Sequence, residues 1–442
     1  MLVTLLAAVV RPGGVHADER IVPAGMVART YTEGLGRAPD PAEWERALHE
    51  AGDDCSPPRL ARWGESLLDG REFAALPYDD GARLLAAHRA VLERDPDPAE
   101  WRRWLHRLHG GTPWAEVVAS LYESAEFRSL AATTLCRRDR SSGDPGHHGP
   151  DGDPLVRPPA GPGPSTEAEL RAALHPGGTP APPGTVVALA AGSTLLLGAP
   201  VDVPPGVTLE TAGPPPLNAY AAMARLVRDR PDDQYGPVVI LEPGATLSHV
   251  WIDGNGGDPA AHPAAPGTAG ENVDVDTRPG AEGATVVASR LENASAGGFT
   301  TIHLAPSDAA GPRCGSVRPA LVAGNLITGY SGDHAAQRWR DGISVGCEVS
   351  RVTGNEVVDA TDAAIVVFRP VLGSQSSVID GNRILAAGSS AFAGLAADPL
   401  GAGTAPPLTS CAAESFAGTW FHDNVLFTGP DTRFDLAVAL GT

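Results

Sequence analysis

Gly324-Asn325-Leu326-Ile327 recurs as Gly354-Asn355-Glu356-Val357, Gly381-Asn382-Arg383-Ile384 and Asp423-Asn424-Val425-Leu426. The asparagines stand 30, 27 and 42 residues apart. After each of the first three copies comes a small or acidic residue and a new apolar run: Asp341-Gly342-Ile343, Asp362-Ala363-Ala364-Ile365 and Ser390-Ala391-Phe392. The runs have strand length and no helical period. A repeat of this size built from short strands predicts a solenoid of stacked β-coils. An asparagine buried at one point of every coil can bond to those above and below, which fixes register. The repeat is therefore a ruler for which residues become neighbours across coils. The longer step to Asn424 predicts a loop around residues 397–417 overhanging the surface.

Upstream of the repeat, residues 184–209 read GTVVALAAGSTLLLGAPVDVPPGVTL, short strands split by Pro-Gly turns. Ser165 is expected to cap a short helix from Thr166 to Leu174, and Asn218 to Arg230 reads as an inserted helix. The wording over residues 165–442 is similar to the pectate-lyase-like superfamily. That resemblance implies a right-handed parallel β-helix, and it is specific for fold rather than activity. It transfers no site residue by residue, because the polygalacturonase-type set of acids with Gly-His-Gly is missing.

Residues 26–136 have a different character. Arg37, Asp40, Trp44 and Leu48 recur as Arg94, Asp97, Trp101 and Leu105. Asp40-Pro41-Ala42-Glu43-Trp44 reappears as Asp97-Pro98-Ala99-Glu100-Trp101, each a capping box with Pro at the first helical position. A third phrase, Leu67 to Phe73, is echoed by Leu121 to Phe127. This duplicated helical spelling resembles the DUF4214 domain of secreted bacterial proteins, which implies an accessory or surface-attachment role. Residues 141–164, dominated by Gly, Pro and Asp, read as a linker to the β-domain. The fold class expected is thus multidomain: a small all-α unit followed by an all-β right-handed parallel β-helix.

At 442 residues the chain is too long for one ordinary core. Gly (52) and Pro (42) are abundant, but 42% hydrophobic content marks turn-rich globular protein instead of disorder. Net charge is −20 with no basic stripe, which excludes a duplex nucleic-acid partner. Leu2 to Val10 are too short an apolar run to span a bilayer. With Val15-His16-Ala17 after them they read as a signal peptide over residues 1–17, so an extracellular or cell-surface location is expected. In an exported protein Cys55–Cys136 and Cys314–Cys347 are the expected disulfides, with Cys411 free.

Stacked coils lie ~4.8 Å apart, so acids of successive coils can meet. Aligning Ile343 with Ile365 offsets Asp341 and Asp362 by one residue and brings them together. Two nearby carboxyl groups are what glycoside hydrolysis needs: one protonates the leaving oxygen, the other attacks or activates water. Asp333 and Asp359 are substitutes on adjoining loops. Tyr330, His334, Arg338, Trp339 and Arg340, packed into one irregular stretch, are candidates for holding a sugar, joined by His303 and Arg369. Asp before Gly is also an ordinary turn residue, so a scaffold role for these acids stays open. A polysaccharide lyase is a third reading, weakened because all 33 basic residues are arginine, which deprotonates with difficulty. No cofactor is expected. Asp253, Asp258, Asp274 and Asp276 give a weak Ca²⁺ alternative. The partner expected is a polysaccharide or cell-wall glycan, with either a carbohydrate-active enzyme or a non-catalytic glycan-binding surface protein as the result.

Overall fold

The computed structural model describes residues 23–52, 55–135, 155–158, 161–229, 236–255, 272–276, 283–294, 300–305, 318–328, 340–346, 349–368, 376–398, 416 and 418–440. Three eight-stranded sheets, parallel throughout, make up the second part of the chain. The first sheet runs from Val186–Leu189 to Trp420–His422, the second from Thr194–Leu197 to Val425–Thr428, and the third from Val201–Val203 to Phe434–Leu440. Each coil gives one strand to each sheet in turn, which is a parallel β-helix. Its interior is a continuous apolar stack, in which Leu247, Val286, Val322, Val352 and Ile379 lie in register and fully buried.

The asparagine repeat is a hydrogen-bonded ladder at the corner between the first and second sheets. Asn325 Nδ2 donates to Asn355 Oδ1 (2.9 Å), Asn355 Nδ2 to Asn382 Oδ1 (3.0 Å) and Asn382 Nδ2 to Asn424 Oδ1 (2.8 Å). Each carboxamide oxygen also accepts from the preceding asparagine's backbone N–H. The residue before each asparagine explains the phrase: Gly324, Gly354 and Gly381 have φ of 60°, 62° and 65°. Left-handed backbone favours glycine, and Asp, at Asp423 (φ 56°), is among the few substitutes. The ladder extends one coil further than its spelling, because Ser289 N–H donates to Asn325 Oδ1 at 3.0 Å.

The helical unit repeats as expected. Pro41–Gly52, Pro57–Leu68 and Arg71–Ala75 correspond to Pro98–His109, Trp114–Tyr122 and Ala125–Leu130, with Asp80–Leu92 between them. Both capping boxes form: Asp40 and Asp97 accept from the backbone of Glu43 and Glu100, whose carboxylates accept in return. One arginine ties each copy together. Arg37 bonds Glu43 and Glu72, each at 2.7 Å, and Arg94 bonds Glu100 (2.8 Å) and Glu126 (2.6 Å) in the same way. Cys55 is disulfide-bonded, and its sulfur lies 3.5 Å from the carbonyl oxygen of Leu135. Cys136, Cys314, Cys347 and Cys411 lie outside the described residues.

This unit packs along the outer face of the second sheet, where Arg225, Trp251, Arg290, Leu326, Glu356 and Arg383 form one register row. Met26, Leu35, Leu85, Tyr220, Trp251, Leu326 and Leu385 share a single apolar core across the junction. Over the early coils the contact is a buried ion network. Arg89 bonds Glu33 (2.8 Å), Asp95 (3.0 Å) and Glu292 (2.7 Å), and Arg225 bonds Asp95 and Asp253, each at 2.5 Å. Arg290 pairs with Glu292 and Glu33. The Trp251 ring lies under the Arg225 guanidinium at 4.1 Å. Over the later coils, Ala38 N–H donates to Glu356 (2.6 Å) and Trp44 Nε1 donates to the Thr428 carbonyl (2.9 Å). Gly36 allows the close approach, since a Cβ there would stand 2.1 Å from the Asn218 carbonyl oxygen. Part of the Gly/Pro-rich stretch joins this junction: Leu155 and Arg157 are buried, and Leu155 N–H donates to Asp95.

Two local expectations are corrected. Residues 218–229 do not form the inserted helix expected over 218–230; a short 3-10 turn, Leu217–Ala222, leads into a strand, Ala224–Arg228. That strand is buried on both sides, by the coil interior and by the helical unit, so it lacks the alternation of a half-exposed strand. The helix Glu167–Leu174 is capped by Thr166, whose hydroxyl accepts from Glu169 N–H, while Ser165 bonds the Glu169 carboxylate.

Candidate functional site on the third sheet

The third sheet brings Asp341 and Asp362 together. Ile343 pairs with Ile365, so Asp341 faces Ala363, and Asp362 is one residue earlier on the adjacent strand. Adjacent strands are ~4.8 Å apart. Asp341 is buried and Asp362 half-buried. Asp341 Oδ1 accepts from Ala363 N–H (3.1 Å) and Oδ2 from the Ser344 hydroxyl (2.8 Å). Asp362 N–H donates to the Arg340 carbonyl at 3.0 Å, which fixes the corner that carries it.

Burial first, and then the Asp362 charge, hold the Asp341 carboxyl well above the usual carboxylate range, with Asp398 adding to the rise. The Ser344 and Ala363 hydrogen bonds oppose it. A carboxyl group so placed keeps its proton where an ordinary aspartate has lost it.

Asp341 meets Ser344 because strand alternation breaks here. In a regular strand, residues three apart face opposite sides. On the neighbouring coils Ala363 and Val366, and Ala393 and Ala396, also share one side and form a small apolar cluster with Ala439. Ile365 and Val367 point into the coil interior. The break puts Asp341 and Ser344 on the outer side together. His303 is the register partner of Ser344 on the preceding coil and is half-buried. His303, Ser344 and Asp341 therefore form a polar group beside the apolar cluster. Ser344 was not a candidate from sequence, since only the broken alternation gives it a carboxylate partner.

The other candidates divide. Asp359 does not join the pair: its Oδ1 accepts from Ala387 (2.6 Å), Gly388 (3.0 Å) and Ser389 (3.2 Å) N–H groups, holding the next coil's corner. Arg340 is buried and donates to the Ala294 carbonyl at 2.7 Å, a packing role instead of an exposed sugar contact. Tyr330, Asp333, His334, Arg338, Trp339 and Arg369 lie outside the described residues. Of the acids considered for Ca²⁺, Asp253 is bonded to Arg225 and Asn293, Asp258 lies outside the described residues, and so do the side chains of Asp274 and Asp276. No group of three or more metal-ligating side chains occurs among the described residues, and no helix among them is long and apolar enough to cross a membrane.

The profile of DUF4214, a domain of unknown function, matches residues 83–131. This is the second helical copy with most of the helix before it; the first copy is related to it through the shared Arg37 and Arg94 geometry. No curated protein and no solved structure matches the chain.

Proposed function

We propose that this protein is an exported carbohydrate-active enzyme of the pectate-lyase-like β-helix type, hydrolysing glycosidic bonds of an extended polysaccharide. The observation that carries the reading is the Asp341–Asp362 pair, two acids of successive coils with unequal burial, one carboxyl raised by its burial and then by the other's charge. Asp341, keeping its proton, is the general acid for the leaving oxygen. Asp362, the more accessible, is the base or nucleophile. The helical unit is an accessory to the β-helix; its apolar side is occupied by the second sheet, which weakens a surface-attachment role. The test is release of reducing ends from a polysaccharide panel. Asp341→Asn and Asp362→Asn are each expected to lower the rate by roughly 10²–10⁴-fold with unchanged circular dichroism. Full activity in both variants overturns the assignment, and unsaturated products absorbing in the ultraviolet point to a lyase instead.

One contact favours a second reading, a non-catalytic glycan-binding scaffold. Ala363 N–H bonds to Asp341, as a carboxylate that merely fixes register would arrange. In that case the wild type cleaves nothing and the Asp341 variant loses stability alone.

A further inference from the structure

The three outer faces of the β-helix differ. The second is covered by the helical unit, and the third carries the acid pair. On the first sheet, the last three strands carry an exposed group unlike either. Trp420 is 52% exposed, whereas the other described tryptophans are buried or half-buried. It continues the register row Arg351, Val378, Trp420, and beside it runs the row Thr353, Asp380, His422. An indole face, a guanidinium, an imidazole and a hydroxyl thus share one flat surface, spanning ~10 Å over three strands. Arg351 bonds Asp380 at 3.3 Å, and His422 bonds Asp423 at 2.9 Å. Asp380 Oδ1 is buried, without a hydrogen-bond partner among the described residues, so this aspartate serves to hold Arg351.

We infer that this surface binds a neutral polysaccharide, with Trp420 stacking on the apolar face of a sugar ring and Arg351 and His422 bonding its hydroxyls. The aromatic platform supplies area at little entropic cost, and the flanking groups donate and accept in the plane around it. Charge selects the neutral class. Arg351 and His422 are already matched by carboxylates, and the chain carries net charge −20, so a polyanionic glycan is repelled. The surface lies on a different sheet from Asp341 and Asp362, so binding here does not depend on hydrolysis there.

The test is affinity electrophoresis of the full chain through gels containing cellulose ether, xylan, galactomannan or, as the anionic probe, polygalacturonate. Retardation is expected on at least one neutral glycan and not on polygalacturonate. Trp420→Ala should weaken it about tenfold, Trp420→Phe less, and Glu116→Ala, on the exposed side of the helical unit, not at all. Melting temperatures of the Trp420 variants, read alongside, report any loss of fold. The proposal is overturned by no retardation on any neutral glycan, by retardation on polygalacturonate alone, or by a Trp420→Ala chain that still binds. It is equally overturned if Trp420 instead mediates a concentration-dependent dimer that Trp420→Ala abolishes.

Discussion

Two faces of one solenoid bury carboxyl groups and treat them in opposite ways. At the second sheet, burial pushes Glu33 up, but Arg290 and Arg89 prevail and bring it down to about 2. Asp95 is likewise lowered, Arg225 and Arg89 overcoming its burial. Glu292, crowded by Glu33 and Asp253, stays raised because burial outweighs its two arginines. At the third sheet, Asp341 has a second carboxyl as its neighbour, and burial and repulsion act in the same direction. Equal burial therefore does not fix charge state: at Glu33 and Asp95 the arginine partners reverse its effect, at Glu292 they fall short, and at Asp341 the partner adds to it. The first arrangement holds two parts of the chain together, and the second keeps a proton available.

The largest expected break in this contrast is Arg225→Met. It leaves Asp95 and Asp253 buried without their shared guanidinium, and urea unfolding should show a loss of about 3–5 kcal/mol. Next is Asn355→Ala, which leaves the Asn325 backbone N–H without its acceptor and removes one bond each from Asn325 Nδ2, Asn382 Oδ1 and the Val322 carbonyl; about 1–3 kcal/mol is expected in the same measurement. The smallest effect is Asp341→Asn, which relieves repulsion and should leave stability at pH 7 equal or slightly higher. The two faces also differ in pH response. Asp95 is depressed when folded, Arg225 and Arg89 overcoming its burial, so its contribution is present above about 3.8 and lost as pH falls through its lowered folded value. Asp341 is raised, so its contribution is present below 3.8 and lost as pH rises through its folded value. Melting curves across pH should show the Arg225→Met chain with a shallower acid limb and the Asp341→Asn chain with a flatter slope above it.

The coil repeat was legible because it is written in backbone terms. A left-handed corner calls for Gly before Asn, and that pair recurs. The register of Asp341 with Asp362 followed from the same ruler. The junction was not legible. Arg225, Trp251 and Arg290 look like ordinary outward residues of a strand, and nothing local says that helical residues 130 to 258 positions away cover them. The misreading of residues 218–230 has the same root, since a strand buried on both faces loses its period of two. Ser344 escaped because a break in alternation belongs to the stacked coils and not to its own neighbours in sequence.

A stack of coils ordinarily frays from its ends, each layer held only by the next. Here Glu33, Arg89 and Asp95 of the helical unit grip the coils of Arg225 and Glu292, while Ala38 and Trp44 of its first copy reach Glu356, Arg383 and Thr428. The duplicated unit is a splint laid across the column. It joins layers that never touch one another, so opening an early coil strains a late one. A modular column held in this way is expected to melt as a single cooperative body.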